Sequence, residues 1–109
     1  MKVVSARELA TWLADDMREK PLLLDVREPW ETQICRIDGS ELVPMQALPA
    51  RLPDLERERE RPIVCICHHG GRSAHVAMFL ARHGYESVYN LTGGVDAWAR
   101  QVDTTMPTY

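Results

Sequence analysis

Several absences narrow the class of protein. Nowhere do about 18 apolar residues follow one another, so the sequence predicts no membrane span and no membrane partner. The opening segment, MKVVSARELA, holds no apolar run long enough for a secretory signal. With 13 Lys and Arg against 16 Asp and Glu, the net charge is -3. No basic stripe is present, which argues against a nucleic-acid partner.

Cysteine is also scarce. Cys35, Cys65 and Cys67 are an odd number without the spacing of a disulfide framework, which favours free thiols in a reducing compartment. We therefore expect a cytoplasmic protein that keeps at least one thiol for its chemistry.

Length and composition predict one domain over residues 1–109. A chain of this length can bury a single core, roughly two-thirds of its unfolded surface. Hydrophobic residues make up 45% and charged residues 27%, which is ordinary for a globular protein and argues against a long disordered segment.

Apolar runs alternate with helix-forming segments along the chain. Ser5 and Glu8 have the spacing of a capping box, so a helix should begin there. Continuous apolar runs predict buried strands over residues 21–26, 61–66 and 87–91. Further helices are predicted over residues 29–33, 45–60, 73–83 and 95–99. This alternation implies an α/β fold with a mainly parallel sheet and right-handed crossovers.

The segment VCICHHGGRS interrupts this pattern between a strand and a helix. Cys67 falls where the strand ends, which is where ligands bind in open α/β sheets. Gly70 and Gly71 let backbone N–H groups turn inward, and the N-terminus of the next helix adds partial positive charge. Arg72 adds a full charge. These features favour the thiolate form of Cys67 and predict a site for an anion.

The length of this loop separates two enzyme classes. Protein tyrosine phosphatases place five residues between a nucleophilic cysteine and an arginine, so that the loop wraps a phosphate. Only four residues separate Cys67 from Arg72. The smaller loop better fits the single outer sulfur atom of a persulfide on Cys67.

Four separated motifs resemble those of a single-domain rhodanese, a sulfurtransferase. LLLDVREPWE at 22–31 resembles the first signature of the family, and CRIDGSELVP at 35–44 stands where relatives often read GHIPGAxNIP. CHHGGRS at 67–73 resembles the catalytic loop, and VYNLTGGVDAW at 88–98 resembles the closing signature. The resemblance covers nearly the whole chain and implies a rhodanese-like α/β domain whose sheet has about five strands flanked by helices.

The resemblance also implies the site residues. Cys67 would be the catalytic nucleophile. The loop that binds the substrate would consist of His68, His69, Gly70, Gly71, Arg72 and Ser73. Asp25, Arg27 and Glu31 would support it through ion pairs and hydrogen bonds. No metal or organic cofactor is implied.

The implied reaction transfers sulfur in two steps. Cys67 would take sulfur from thiosulfate or a persulfide donor and pass it to cyanide, a small thiol or a protein thiol. One alternative is a protein-to-protein sulfur relay with a cysteine desulfurase and a sulfur-carrier protein. The segment DTTMPTY at 103–109 favours it, because it resembles the end of rhodanese domains fused to enzymes that activate sulfur carriers. A silent binding module and a small phosphatase are the remaining alternatives.

Several roles stay open in the sequence. His68 stands where many relatives carry Arg, and its ring and that of His69 could assist as pH-dependent cations or face solvent. Cys65 is interpreted as a core residue rather than a resolving thiol, and Cys35 as either a sulfur acceptor or simply exposed. A metal set of these cysteines and histidines fails on geometry, because Cys65 lies in a buried strand. Trp30 and Trp98 are interpreted as core or pocket wall.

Overall fold

Strands and helices alternate along the chain. In a computed structural model that describes residues 1–109, the strands are β1 (Lys2–Val4), β2 (Leu22–Asp25), β3 (Glu41–Leu42), β4 (Ile63–Ile66) and β5 (Val88–Leu91). The helices are α1 (Ala6–Ala14), α2 (Pro29–Ile34), α3 (Leu48–Leu55), α4 (Gly71–Arg82) and α5 (Gly94–Gln101). Two short 3-10 segments flank α3. The helices all fall short of the length and hydrophobicity that a membrane-spanning helix needs.

The five strands form one sheet in the order β1-β5-β4-β2-β3, and every neighbouring pair is parallel. The α/β fold with a parallel sheet of five strands is therefore confirmed. The central strands β2 and β4 are neighbours, yet the chain leaves β2 toward β3 at one edge and leaves β4 toward β5 on the other side. The carboxyl ends of β2 and β4 consequently flank a topological switch point, which is where α/β sheets bind their ligands.

Helices cover both faces of the sheet, so the central strands are buried on each side. Alternate residues of β4 point to opposite faces, with Cys65 in the cluster under α3 and α4 and Val64 in the cluster under α1 and α5. All four residues of β2 and all four of β4 are buried. This double burial explains why both strands read as continuous apolar runs in the sequence.

The helix boundaries follow local signals. Ser5 caps α1, and the reciprocal bonds between Ser5 and Glu8 form the expected capping box. Helix α4 begins two residues earlier than predicted, because Gly70 takes a positive φ of 109° and serves as its N-cap. At its other end Gly84 has a φ of 87°, and the N–H groups of Gly84 and Tyr85 close a Schellman motif on the last turn.

Candidate active site

Cys67 lies directly after β4, at the switch point. Its side chain is buried, and the backbone N–H of Gly70 donates a hydrogen bond of 3.0 Å to Cys67 Sγ. Ser73 Oγ lies 3.3 Å from the same sulfur. The loop between β4 and α4 thus wraps the thiol, and a strand end and a helix start fix its two ends.

Backbone donors surround the sulfur. Gly70 needs its positive φ to turn the loop, and a side chain there would be strained in that conformation. Several loop N–H groups have no acceptor within the protein, namely those of His68, His69, Gly71, Arg72 and Ser73. The last three belong to the first turn of α4, whose N–H groups and dipole favour a negative charge. The loop can therefore hold an anionic group bound to Cys67.

The start of α5 holds the loop from the other side. The backbone N–H of Val95 donates to the carbonyl of Cys67 at 2.9 Å, and that of Asp96 donates to the carbonyl of His68 at 3.1 Å. Gly94 makes this approach possible, because a Cβ at that position would overlap both carbonyl groups. Gly94 of the closing signature thus serves the geometry of the loop, although the two motifs are far apart in sequence.

Asn90 is a site residue that sequence reasoning missed. It lies in β5, is 8% exposed, and donates from Nδ2 to the carbonyl of Gly70 at 3.1 Å. Its Oδ1 forms a short hydrogen bond with Ser73 Oγ. The amide therefore orients the hydroxyl that faces Cys67 Sγ. A polar side chain inside an otherwise apolar strand was the available signal.

Arg72 does not act as a free cation. Its Nη1 and Nη2 donate to the two carboxylate oxygens of Glu31 at 2.7 and 2.8 Å. These hydrogen bonds are the main reason that the pKa of Glu31 falls to about 2, although burial opposes the shift. The sequence predicts a positive charge on the loop at Arg72. In the structure, the carboxylate of Glu31 in α2 neutralises that charge.

Asp25 and Arg27 form a second, fully buried ion pair. The Nε and Nη2 atoms of Arg27 donate to the Asp25 carboxylate, with Nη2 at 2.7 Å from Oδ2. Arg27 also donates to the carbonyl of Cys35 at 2.8 Å. This guanidinium is 0% exposed, so it cannot contact a substrate directly. The structure places both residues in the framework beneath the site.

The tail joins these two ion pairs. Tyr109 Oη accepts a hydrogen bond of 2.9 Å from Arg27 Nη1 and donates one of 2.8 Å to Glu31 Oε1. Sequence reasoning assigned Tyr109 no role at the site, because 82 positions separate it from Arg27. Only its place in the resembling tail segment singled it out.

The two histidines differ in environment. The ring of His68 is stacked between the rings of His69 and Tyr109, with centroid distances of 3.8 Å on both sides. Burial and the neighbouring His69 lower the pKa of His68. His69 is exposed. Of the two interpretations left open, solvent exposure of the ring thus describes His69 and not His68.

One set of potential metal ligands lies beside the loop. Ligand atoms of His68, His69 and Asp96 are within 4.8 Å of one another. The two imidazole planes are stacked at 28°, so their lone pairs run side by side rather than converging on one ion. Asp96 is also paired with Arg100 at 3.0 Å. This donor set is poorly arranged for a metal ion.

The other two cysteines lie in the protein interior. Cys65 is 0% exposed, and burial raises the pKa of its thiol to about 12, as expected for a core residue. Cys35 is 7% exposed, so the interpretation of Cys35 as an exposed thiol was wrong. It packs near Arg27, with Sγ 3.9 Å from Nη1.

Trp98 is buried, whereas Trp30 is 60% exposed at the rim of the site and is not a core residue.

The fold and the loop define an α/β domain that presents one thiol to an anion-binding loop at its switch point. The rhodanese-like domain family matches residues 9–101. A sulfurtransferase of Allochromatium vinosum is 35% identical over 97 residues, which are 89% of this chain and 87% of that protein. A crystal structure of a rhodanese-like domain protein from Staphylococcus aureus has a TM-score of 0.81 at 30% identity, covering 90% of this chain and 91% of the other.

The chain belongs to the rhodanese-like domain family. Other relatives are longer. The chain spans 26% of the probable adenylyltransferase/sulfurtransferase MoeZ of Mycobacterium tuberculosis, at 34% identity over 97% of this chain. It spans 38% of the rhodanese-like/PpiC domain-containing protein 12 of Arabidopsis thaliana, at 35% identity over 100% of this chain.

Proposed function

We propose that residues 1–109 act as one rhodanese-like domain in which Cys67 carries sulfur as a persulfide. The observation that carries this proposal is the environment of Cys67 Sγ. The sulfur lies at the N-terminus of α4 and accepts the N–H of Gly70, in a loop with only four residues before Arg72. Unpaired amide donors in the same loop suit the negative charge of a thiolate or a persulfide.

The reaction is a pair of sulfur transfers with no net oxidation. The Cys67 thiolate attacks the outer sulfur of thiosulfate, a bond forms between the two sulfurs, and sulfite leaves with the electron pair of the broken bond. With a persulfide donor, the leaving group is the donor thiolate. An acceptor such as cyanide, a small thiol or a protein thiol then attacks the outer sulfur of the Cys67 persulfide. Cys67 leaves as a thiolate, ready for the next cycle.

Mass spectrometry of the intact protein tests this proposal. After incubation with thiosulfate or a small persulfide, the wild type should gain one sulfur atom and Cys67→Ser should gain none. Cys65→Ala is the matched control, because Cys65 lies on the same strand face but is buried in the core. Failure of the wild type to gain sulfur from either donor, or equal gain in Cys67→Ser, would refute the assignment.

A protein-to-protein relay is the second candidate, and the pairing of Arg72 with Glu31 favours it. Thiosulfate carries two negative charges, and the loop has no unpaired cationic side chain to attract it. A donor persulfide carries at most one charge, so it depends less on such attraction. The likeness to a region of MoeZ, whose name combines adenylyl and sulfur transfer, agrees with this candidate.

Donor and acceptor competition separates these candidates. A relay predicts faster loading of Cys67 from a cysteine desulfurase persulfide than from thiosulfate, and faster discharge to a sulfur-carrier protein than to cyanide. Loading with thiosulfate and rapid thiocyanate formation would favour the small-molecule reaction. A protein that neither loads nor forms thiocyanate would be a binding module. Hydrolysis of an aryl phosphate that Cys67→Ser abolishes would indicate a phosphatase.

The three free thiols favour a reducing, cytoplasmic setting for either form of sulfur transfer.

A further inference from the structure

Tyr109 touches the site in two chemically different ways. Its hydroxyl joins the two ion pairs, because it accepts from Arg27 and donates to a Glu31 oxygen that also binds Arg72. That oxygen lies 2.8 Å both from Tyr109 Oη and from Arg72 Nη2. The hydroxyl thus restricts the carboxylate that in turn fixes the arginine at the end of the loop.

The ring of Tyr109 covers the other side of the loop. It lies parallel to the ring of His68, with a centroid distance of 3.8 Å and an interplanar angle of 6°. Trp30 packs edge-on against the outer side of this arrangement, 6.0 Å from the Tyr109 centroid. The Nε2 atom of His68 is buried and has no hydrogen-bond partner. Aromatic stacking, rather than a hydrogen bond of Nε2, therefore holds the imidazole beside Cys67.

We propose that Tyr109 is a positioning residue of the sulfur-transfer site, whose hydroxyl fixes Glu31 and Arg72 and whose ring shields His68. The inference rests on the proposed function of Cys67, because it concerns the same loop. It assigns a task to a residue that makes no contact with the sulfur. The two contacts also predict different consequences for losing the hydroxyl and for losing the ring.

Burial sets the direction of the pKa shift of His68, and its polar and charged neighbours modify that shift. Burial and the neighbouring His69 both disfavour its protonation, whereas a hydrogen bond with the Tyr109 backbone, Asp96 from α5 and Glu31 from α2 favour it. The net result is a lowered pKa for His68. If the Tyr109 ring is removed, water reaches the imidazole and its pKa should rise toward the ordinary value. A cation would then appear next to Cys67 in mildly acidic solution.

Three variants separate these effects in the full chain. Tyr109→Phe keeps the ring and removes the hydroxyl, Tyr109→Ala removes both, and Thr108→Ala is a control at an exposed neighbour. NMR titration of the His68 imidazole should show a raised pKa in Tyr109→Ala and an unchanged one in Tyr109→Phe. Sulfur loading of Cys67, as kcat/KM from the initial rate, should fall roughly threefold to tenfold in Tyr109→Phe, consistent with the loss of one or two hydrogen bonds. Thr108→Ala should match the wild type in both measurements.

Different results would overturn the two proposals. Tyr109 is not a positioning residue if wild type and both Tyr109 variants take up sulfur within twofold of one another and His68 titrates identically in all of them. The Tyr109→Phe variant keeps the test decisive even if Tyr109→Ala fails to fold. By contrast, a wild type that takes up no sulfur refutes the proposed function of Cys67, whatever His68 does.

Discussion

Glu31→Gln should destabilise the protein in a pH-dependent way. Glu31 is 3% exposed, and its carboxylate accepts two hydrogen bonds from Arg72 and one from Tyr109. The backbone N–H of Glu28 donates a fourth at 2.8 Å. Gln preserves the shape of the side chain but removes its charge and turns one acceptor oxygen into a donor. That donor would face groups that are themselves donors.

The pKa of Glu31 gives the size of the effect. Its value falls from 4.5 to about 2 in the folded protein, chiefly because Arg72 binds the charged form. A shift of that size corresponds to about 3 kcal/mol. Because the Arg72 side chain is 35% exposed, solvent screening reduces this contribution. We expect a loss of about 2 kcal/mol at neutral pH, or a drop in Tm of roughly 8 °C for a chain of this length.

The direction of the pH dependence follows from the lowered pKa of Glu31. A carboxylate with a depressed folded-state pKa stabilises the protein fully above its unfolded value of 4.5. The contribution is lost as pH falls from 4.5 toward about 2, where the folded carboxyl takes up a proton. The stability difference between wild type and Glu31→Gln should therefore be largest above pH 4.5 and shrink below it.

Urea unfolding at several pH values measures this difference. Glu41→Gln is the matched control. It is the same substitution at an exposed carboxylate, whose oxygen lies 4.0 Å from the Arg51 guanidinium. Its effect should stay within about 0.5 kcal/mol. A stability loss for Glu31→Gln no larger than that of the control, or a loss that does not change between pH 7 and pH 3, would refute the argument.

Four substitutions test the surroundings of the thiol. Ser73→Ala removes the hydroxyl that donates to Asn90 Oδ1 beside Cys67 Sγ and should lower the free energy of unfolding by about 1 kcal/mol, the value of one hydrogen bond; an unchanged free energy would contradict this. Gly94→Ala should cost more than about 2 kcal/mol in urea unfolding, because its Cβ would overlap two carbonyls at a positive φ. Gly71→Ala, whose Cβ meets nothing within 4 Å, should cost less than a third of that, and equal losses would refute the account. Cys65→Ala should lower stability by about 1 kcal/mol yet leave sulfur loading within twofold, since this thiol is in the core.

The sequence predicted the central strands and missed the edges of the sheet for a physical reason. Strands β2, β4 and β5 are largely buried and therefore mostly apolar, apart from Asp25 and Asn90. Strand β1 has only three residues, two of them exposed, and β3 has two residues with none buried. Pairing with the neighbouring strand holds such short edge strands in the extended conformation, so the sequence contains no apolar run that would predict them.

The site divides in the same way between local and distant contributions. The loop from Cys67 to Ser73 could be predicted because a strand end, two glycines and a helix start lie next to one another in the sequence. Tyr109 and Asn90 reach the loop through tertiary contacts, and nothing in their local sequence specifies those contacts. The sequence indicates a positive charge at Arg72 but not its pairing with Glu31, because that pairing depends on how α2 packs.

The charges around the site cancel in pairs, which leaves the backbone as the main source of positive potential at the thiol. Three arginines near the loop each bind one carboxylate: Arg27 with Asp25, Arg72 with Glu31 and Arg100 with Asp96. The first turn of α4 has no such partner and directs its N–H groups toward the loop. Backbone dipoles act only at short range, so they stabilise a sulfur anion seated in the loop more than they attract a charged donor from solution. For the proposed sulfur transfer, this arrangement favours a donor that reaches the loop by direct contact, such as a protein persulfide, over a dianion drawn from solution.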